Sequence, residues 1–122
     1  MHRNPFLKYH EMEILAKARR TFGDTTQILV AMEELCELAC VCAKYPRYEN
    51  SSNAKEELHN KAIDELADAT VVINHIINIM DIDPHEVEKR ISGKVARVER
   101  WVNKSSSMQI TTEDRKVEDT EE

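Results

Sequence analysis

Helix-breaking residues are scarce in this chain, and their scarcity limits the fold more than any other feature. The 122 residues include two glycines and three prolines, whereas alanine, leucine, glutamate and lysine, which favour helices, are abundant. A sheet of several strands would need more turn-forming residues than the sequence supplies. The chain is also long enough for one core. We therefore expect one all-α domain.

The few breakers divide the chain into predicted helices. The first is predicted over residues 5–22, with a proline in its first position and Gly23 as its stop. The second is predicted over residues 24–45, because Pro46 should end it. Its cap is one of two polar residues, Asp24 or Thr25.

Two further helices complete the predicted four-helix bundle. The third spans residues 53–80, and Asn53 with Glu56 resembles a capping box at its start. The fourth extends to about residue 102, with Asp83 as its cap and a proline as its first residue. The boundaries predict an all-α domain over residues 1–102.

Residues 103–122 are rich in serine, threonine and charge, and they predict a flexible, disordered tail. This tail contains three basic and six acidic residues. The whole chain has a net charge of −6, so about half of the excess lies in the tail, while the fourth helix is locally basic. The acidic balance argues against nucleic acid as a partner.

No apolar run is long enough to span a membrane, and the N-terminus lacks the apolar core of a signal peptide. We therefore expect a soluble, cytoplasmic protein without a membrane partner. An odd number of cysteines on one predicted helix also fits a reducing compartment. We interpret these cysteines as small core residues rather than as zinc ligands with His59; they are Cys36, Cys40 and Cys42.

Two acidic pairs stand out within the predicted helices. Glu34 and Glu37 are spaced i, i+3 on the second helix, and Glu65 and Asp68 have the same spacing on the third. This spacing places both members of a pair on one helix face. If the two helices pack face to face, the four carboxylates form an oxygen-rich site for a hard cation such as Mg²⁺.

Helical phase shows that these acids are not ordinary surface residues. At about 100° per residue, Glu65 lies in the middle of an apolar stripe, whereas Asp64 points elsewhere. A carboxylate on such a stripe is costly to bury without compensation. The stripe comprises Leu58, Ala69, Val72, Ile76 and Ile79. On the otherwise apolar second helix, the only acidic sector contains Glu33, Glu34 and Glu37.

The two acidic pairs and the segments around them, residues 27–39 and 64–73, resemble the signature of the all-α nucleoside triphosphate pyrophosphatases, the MazG-like superfamily. The resemblance covers residues 25–100. It implies hydrolysis between the α- and β-phosphates of a nucleoside triphosphate, which releases a nucleoside monophosphate and pyrophosphate. It also implies that the four motif carboxylates are catalytic and hold Mg²⁺, with Mn²⁺ as a substitute.

Three basic residues are candidates for binding the substrate phosphates. Lys94 and Arg97 are spaced i, i+3 on the fourth helix, and the resemblance favours basic residues at this place. Lys61 lies near Glu65 on its helix face. Each of the three has an alternative role in simple charge balance. The sequence does not decide which carboxylate, or Glu33 beside them, orients the attacking water.

Three other functions compete with this hypothesis. A phosphoribosyl-ATP pyrophosphatase would perform the same reaction on another substrate. A non-catalytic helical interaction protein would use the same bundle without chemistry. A ferritin-like di-metal bundle is suggested by Glu56 and His59, but it needs a second Glu-x-x-His, which is absent from the sequence. The wide apolar arcs of helices two and three further predict a homodimer or homotetramer.

Overall fold

The computed structural model describes residues 6–48 and 52–107 and confirms the predicted all-α fold with four helices. No strand occurs within those residues. The helices are α1 (Tyr9–Phe22), α2 (Asp24–Tyr48), α3 (Ser52–Ile79) and α4 (Pro84–Ser107). None of these helices, over the residues described, is apolar enough along its length to cross a membrane.

The chain divides into two compact units. The first ends at Ile82 and contains α1, α2 and α3, and the second begins at Asp83 and contains α4. α4 continues to Ser107, beyond its predicted end at residue 102. The rest of the predicted tail lies outside the described residues.

α1 begins later than predicted and ends where predicted. Its first residue is Tyr9, because the backbone N–H of Lys8 donates to the Glu11 carboxylate at 2.9 Å and so defines the N-cap. At the other end, Gly23 adopts φ 88° and its N–H donates to the Arg19 carbonyl at 2.9 Å. This left-handed conformation suits glycine and stops the helix.

Two predictions about α2 are wrong. Asp24 is already helical rather than a cap, since Gln27 donates its N–H to the Gly23 carbonyl at 3.2 Å. Pro46 does not end the helix, which continues to Tyr48. The proline lies in the last turn, where it removes one helical hydrogen bond but leaves the preceding turns intact.

α3 and α4 begin close to their predicted positions. Asn53 lies inside α3 rather than at its cap, and the residue before this helix is outside the described range. Asp83 caps α4 as predicted, because its Oδ1 accepts the His85 N–H at 2.9 Å. Pro84 is the first residue of α4.

The core lies between α2 and α3. The two helices are joined by residues 49–51 and pack against each other more extensively than either packs against α1. Such a short connection makes them antiparallel neighbours. Three polar residues, Gln27, Glu65 and His75, are buried with the apolar core. The buried apolar side chains are mostly small and comprise Ala31, Val41, Leu58, Ala69 and Val72.

Arg19 connects α1 with both core helices. Its guanidinium donates to the Asp24 carboxylate at 2.7 Å and to the Asn78 carbonyl at 3.2 Å. These bonds join the end of α1 to the start of α2 and to the end of α3. The three helices thereby form the frame that holds both acidic pairs.

Candidate metal centre

The antiparallel α2–α3 pair brings three predicted acids together. One carboxylate oxygen from each of Glu34, Glu37 and Glu65 lies within 4.8 Å of the other two. The spacing i, i+3 puts Glu34 and Glu37 on the same side of α2. Packing against α3 then places Glu65 opposite them. We call these three residues together with Asp68 the acidic cluster.

The members of the acidic cluster differ in their exposure to water. Glu65 is 9% exposed and buried, Glu34 is half-buried, and Glu37 and Asp68 are exposed. Glu65 is buried as its position on the apolar stripe predicts, and Leu58, Ala69 and Val72 on the same stripe are buried with it. Glu65 therefore forms the floor of the cluster and Glu37 its solvent-facing side.

Asp68 lies at the edge of the cluster. It does not belong to the three carboxylates that share the 4.8 Å group. Its charge nevertheless acts on Glu34 and on Glu65, whose pKa values it raises. All four carboxylates of the two predicted pairs therefore interact electrostatically across the α2–α3 interface.

Burial and mutual repulsion disfavour the ionised cluster. The pKa of Glu65 is raised first by burial, then by the charges of Glu37 and Asp68. A hydrogen bond with Glu37, which needs a proton on one of the two carboxyls, acts in the same direction, while Lys61 opposes it. A nearby cation would thus lower the free-energy cost of ionising these carboxylates in the folded protein.

The same causes act on Glu34. Burial raises its pKa most, followed by repulsion from Glu37, Asp68, Glu65 and Glu33. Because every charge that shifts it is negative, Glu34 has no cation among these neighbours to offset the cost of its ionisation.

Two oxygens of the cluster are orphaned within the described part of the chain. Oε2 of Glu34 and Oε2 of Glu65 are shielded from water and meet no hydrogen-bond partner there. An ionised carboxylate oxygen that is buried without a donor is costly. Carboxylate oxygens are also the ligands that Mg²⁺ prefers. The carboxylate oxygens of the cluster, two of which have no hydrogen-bond partner among the described residues, therefore fit the ligand preference of a hard divalent cation.

The predicted basic residues fall into two groups. Lys61 lies one turn before Glu65 on α3, and its charge lowers the pKa of that carboxyl. Lys94 and Arg97 lie on α4, in the second compact unit. Within α4, the Arg97 guanidinium lies over the Trp101 ring, 5.5 Å from its centroid. The structure therefore places Lys61 beside the acidic cluster and the other two basic residues on α4.

The interpretation of the cysteines as core residues is wrong. Cys36, Cys40 and Cys42 are all exposed on α2. Because α2 contacts a partner along only part of its circumference, an apolar position there need not be covered. The zinc alternative with His59 also lacks a site, since no ligand group among the described residues contains these side chains. The same holds for Glu56 and His59, the basis of the ferritin-like alternative.

Two buried polar residues, Gln27 and His75, were not among the predicted site residues. Both are buried, and burial lowers the pKa of His75. A signal was present for His75, which lies three positions after the buried Val72 and so shares its side of α3. Gln27 lies seven positions before Glu34, which places it on the buried side of α2.

We also compared the chain with models of known protein families, with curated protein sequences and with solved structures, and none matches. The family resemblance therefore depends on the motif residues alone.

Proposed function

We propose that this protein is a Mg²⁺-dependent nucleoside triphosphate pyrophosphohydrolase that cleaves ribo- or deoxyribonucleoside triphosphates to the monophosphate and pyrophosphate. The observation that carries the proposal is Glu65, a buried carboxylate with an orphaned oxygen that faces Glu34 and Glu37. A structural role alone does not explain why three acids converge where burial opposes their ionisation.

The cluster's charge suggests what kind of substrate it serves. Bare carboxylates repel a triphosphate, so a polyanionic substrate can bind beside them only if cations intervene. Glu34, Glu37, Glu65 and Asp68 would hold Mg²⁺, or Mn²⁺ in its place. When bound, the ion neutralises charge on the phosphate oxygens and lowers the pKa of a coordinated water.

The side chains themselves divide the remaining tasks. Glu65 and Glu34, each of which has one oxygen shielded from water, would fix the inner side of the site. Glu37 and Asp68 are exposed and face the solvent from which water and substrate arrive. One of these acids, or Glu33 beside them, would accept a proton from the attacking water. Lys61 would balance charge or contact a phosphate, with Lys94 and Arg97 as further phosphate ligands.

The decisive experiment is a screen for pyrophosphate release. The protein is incubated with each common ribo- and deoxyribonucleoside triphosphate in Mg²⁺, Mn²⁺ or a chelator, and phosphoribosyl-ATP is included as a rival substrate. Cleavage of a triphosphate that stops in chelator supports the proposal. Cleavage of phosphoribosyl-ATP alone would support the rival pyrophosphatase. No cleavage by folded protein with either metal would favour a non-catalytic interaction protein.

A pair of neighbouring variants separates the acidic cluster from acidity in general. Asp68→Asn should reduce the rate by about a hundredfold or more, the size of loss typical when a group that stabilises reacting charge is removed. Asp64→Asn changes the same charge on the exposed side of the same helix and should leave the rate near that of the unmodified protein. Equal rates for the two variants would contradict a role for the cluster in catalysis.

We further propose a cytoplasmic homodimer or homotetramer. Large apolar side chains are exposed on both core helices, with Leu29 and Met32 on α2 and Ile63 and Leu66 on α3 each more than half exposed. Exposed apolar side chains in such number on two packed helices favour an interface with a second copy.

A further inference from the structure

The cations of α4 lie in one row along the helix. The row contains four cations at intervals of four, three and seven residues, namely Arg90, Lys94, Arg97 and Lys104. Trp101 lies on the same side of the helix, between the last two. At 100° per residue, these five positions lie within about 80° of one another. We call them the cationic row. It includes the Arg97–Trp101 contact at 5.5 Å.

The two sides of the helix differ in charge. The cationic row borders one side of an apolar stripe whose five aliphatic residues are all exposed, namely Val87, Ile91, Val95, Val98 and Val102. Glu88 and Glu99 lie on its other side. Across residues 84–107, six basic and three acidic residues give a net charge of +3. The row is thus a linear surface for a chain of opposite charge.

The segment that follows α4 in the sequence has that charge. Residues 108–122 contain six acidic and two basic residues, which gives a net charge of −4. The acidic residues come in three pairs and comprise Glu113, Asp114, Glu118, Asp119, Glu121 and Glu122. We propose that this acidic segment binds back along the cationic row of the α4 from which it emerges.

The segment is long enough to reach along the whole cationic row. Its fifteen residues span roughly 50 Å when extended, while the row from Lys104 to Arg90 is about 21 Å long. Single exposed ion pairs contribute little. A short tether, however, supplies an effective concentration on the order of millimolar, so several weak pairs together populate the contact.

The arrangement favours this segment over a flat anionic surface such as a membrane. A flat surface that covers the apolar stripe meets both of its sides, including Glu88 and Glu99. A single extended chain follows the cationic row alone. The contact does not require a metal, but Lys94 and Arg97 are also the proposed phosphate ligands, so the bound segment would compete with a substrate for these two cations.

Trp101 supplies a direct test, because it is the only tryptophan and gives one indole N–H resonance in a ¹H–¹⁵N spectrum. The full-length protein is compared with a full-length variant whose six segment acids are changed to glutamine or asparagine. At low salt the two indole resonances should differ. At about 0.5 M salt, which screens exposed charges, the unmodified protein should move to the position of the variant.

Two single substitutions serve as a matched pair. Lys94→Gln lies in the row and should shift the indole resonance toward that of the neutralised variant. Lys89→Gln removes the same charge outside the row, where Lys89 pairs with Glu86 at 3.7 Å, and should have a much smaller effect. Equal shifts from both substitutions would mean general attraction rather than the proposed contact.

Three further outcomes would overturn the proposal. Coincident indole resonances at low salt would show that the segment does not reach Trp101. A shift that grows with protein concentration would assign the row to a second copy of the chain. If anionic lipid vesicles shift the indole resonance while neutralising the segment does not, the cationic row would be assigned to a membrane surface.

Discussion

Glu65 is the residue at which burial and charge oppose each other most directly. It is 9% exposed, and burial together with neighbouring carboxylates raises its pKa. Removing its charge and binding a cation would both relieve this conflict. A substitution that removes the charge also removes the carboxylate that could hold a metal, so the two changes have opposite effects on metal binding. This difference yields two predictions.

The first prediction concerns stability in the absence of metal. Glu65→Gln should raise the melting temperature at neutral pH. The pKa of Glu65 in the folded state is above its ordinary value of 4.5, so ionisation favours the unfolded chain. The stability contribution of Glu65 is full below the ordinary pKa and is lost as pH rises through the raised value. Thermal unfolding in chelator, followed by circular dichroism across this range, measures the effect.

The comparison includes its own control. His75 has a lowered pKa because of burial, so its contribution is present above its ordinary value and is lost as pH falls. Both proteins contain His75, and its effect cancels in their difference at each pH. That difference should be small in acid and grow toward neutrality. A difference independent of pH would contradict the assigned cause.

The second prediction concerns metal. Mg²⁺ at a hundred times its dissociation constant should stabilise the unmodified protein by about 2.7 kcal/mol, because it binds only the folded state. Glu65→Gln should show little of this stabilisation, since it lacks the buried ligand. Thermal unfolding with increasing Mg²⁺ measures both. Equal stabilisation of the two proteins would place the ion elsewhere.

At the scale of the elements, the α1–α2 junction depends on one backbone conformation. Gly23 has φ 88° and ends α1 directly before α2 begins. No atom lies within 4 Å of the position that a Cβ would take there. A side chain would therefore meet no steric obstacle, and only the left-handed backbone would oppose it.

Gly23→Ala should accordingly destabilise the protein by about 1 to 3 kcal/mol, because φ 88° and ψ 158° lie in a region that essentially only glycine adopts. Gly93→Ala is the matched control, because Gly93 is helical and also has open space around it. It should stabilise α4 by about 0.5 to 1 kcal/mol. Urea unfolding followed by the helical signal measures both free energies. Effects of the same sign would refute the conformational argument.

At the scale of the whole molecule, the small core contrasts with the apolar surface that remains outside it. Five apolar side chains are buried among the described residues, whereas many large ones, including Leu66 at 53% exposure, face solvent. Burying such residues against a second copy would provide stability that the α2–α3 interface does not supply.

Leu66→Lys should therefore shift the oligomer toward monomer. Asn53→Lys adds the same charge at another exposed position of α3, about 15 Å along the helix from Ile63, and should leave the assembly unchanged. Light scattering at several micromolar concentrations measures the mass of each protein. A monomeric unmodified chain, or equal behaviour of the two variants, would contradict the proposed interface.

Local sequence features predicted the helices well, but they predicted less well which side chains the neighbouring helices cover. Helix propensity and the glycine stop placed α1, α2 and α3 because both act within a few residues. The expected end of α2 at Pro46 was wrong, since a proline in the last turn removes only one hydrogen bond. The cysteines were misplaced for another reason. Periodicity gives the side of a helix on which a residue lies, but not whether a neighbour covers that side.

The sequence by itself determined that the chain is helical and that Glu65 shares a face with apolar residues, because both depend on a repeat of 3.6 residues along one helix. Only the tertiary structure decided that Glu34 and Glu37 meet Glu65 within 4.8 Å. That proximity requires α2 and α3 to pair in one register, and register depends on how side chains from both helices fit together. The same packing left the cysteines exposed, and it left two carboxylate oxygens of the acidic cluster without a hydrogen-bond partner among the described residues.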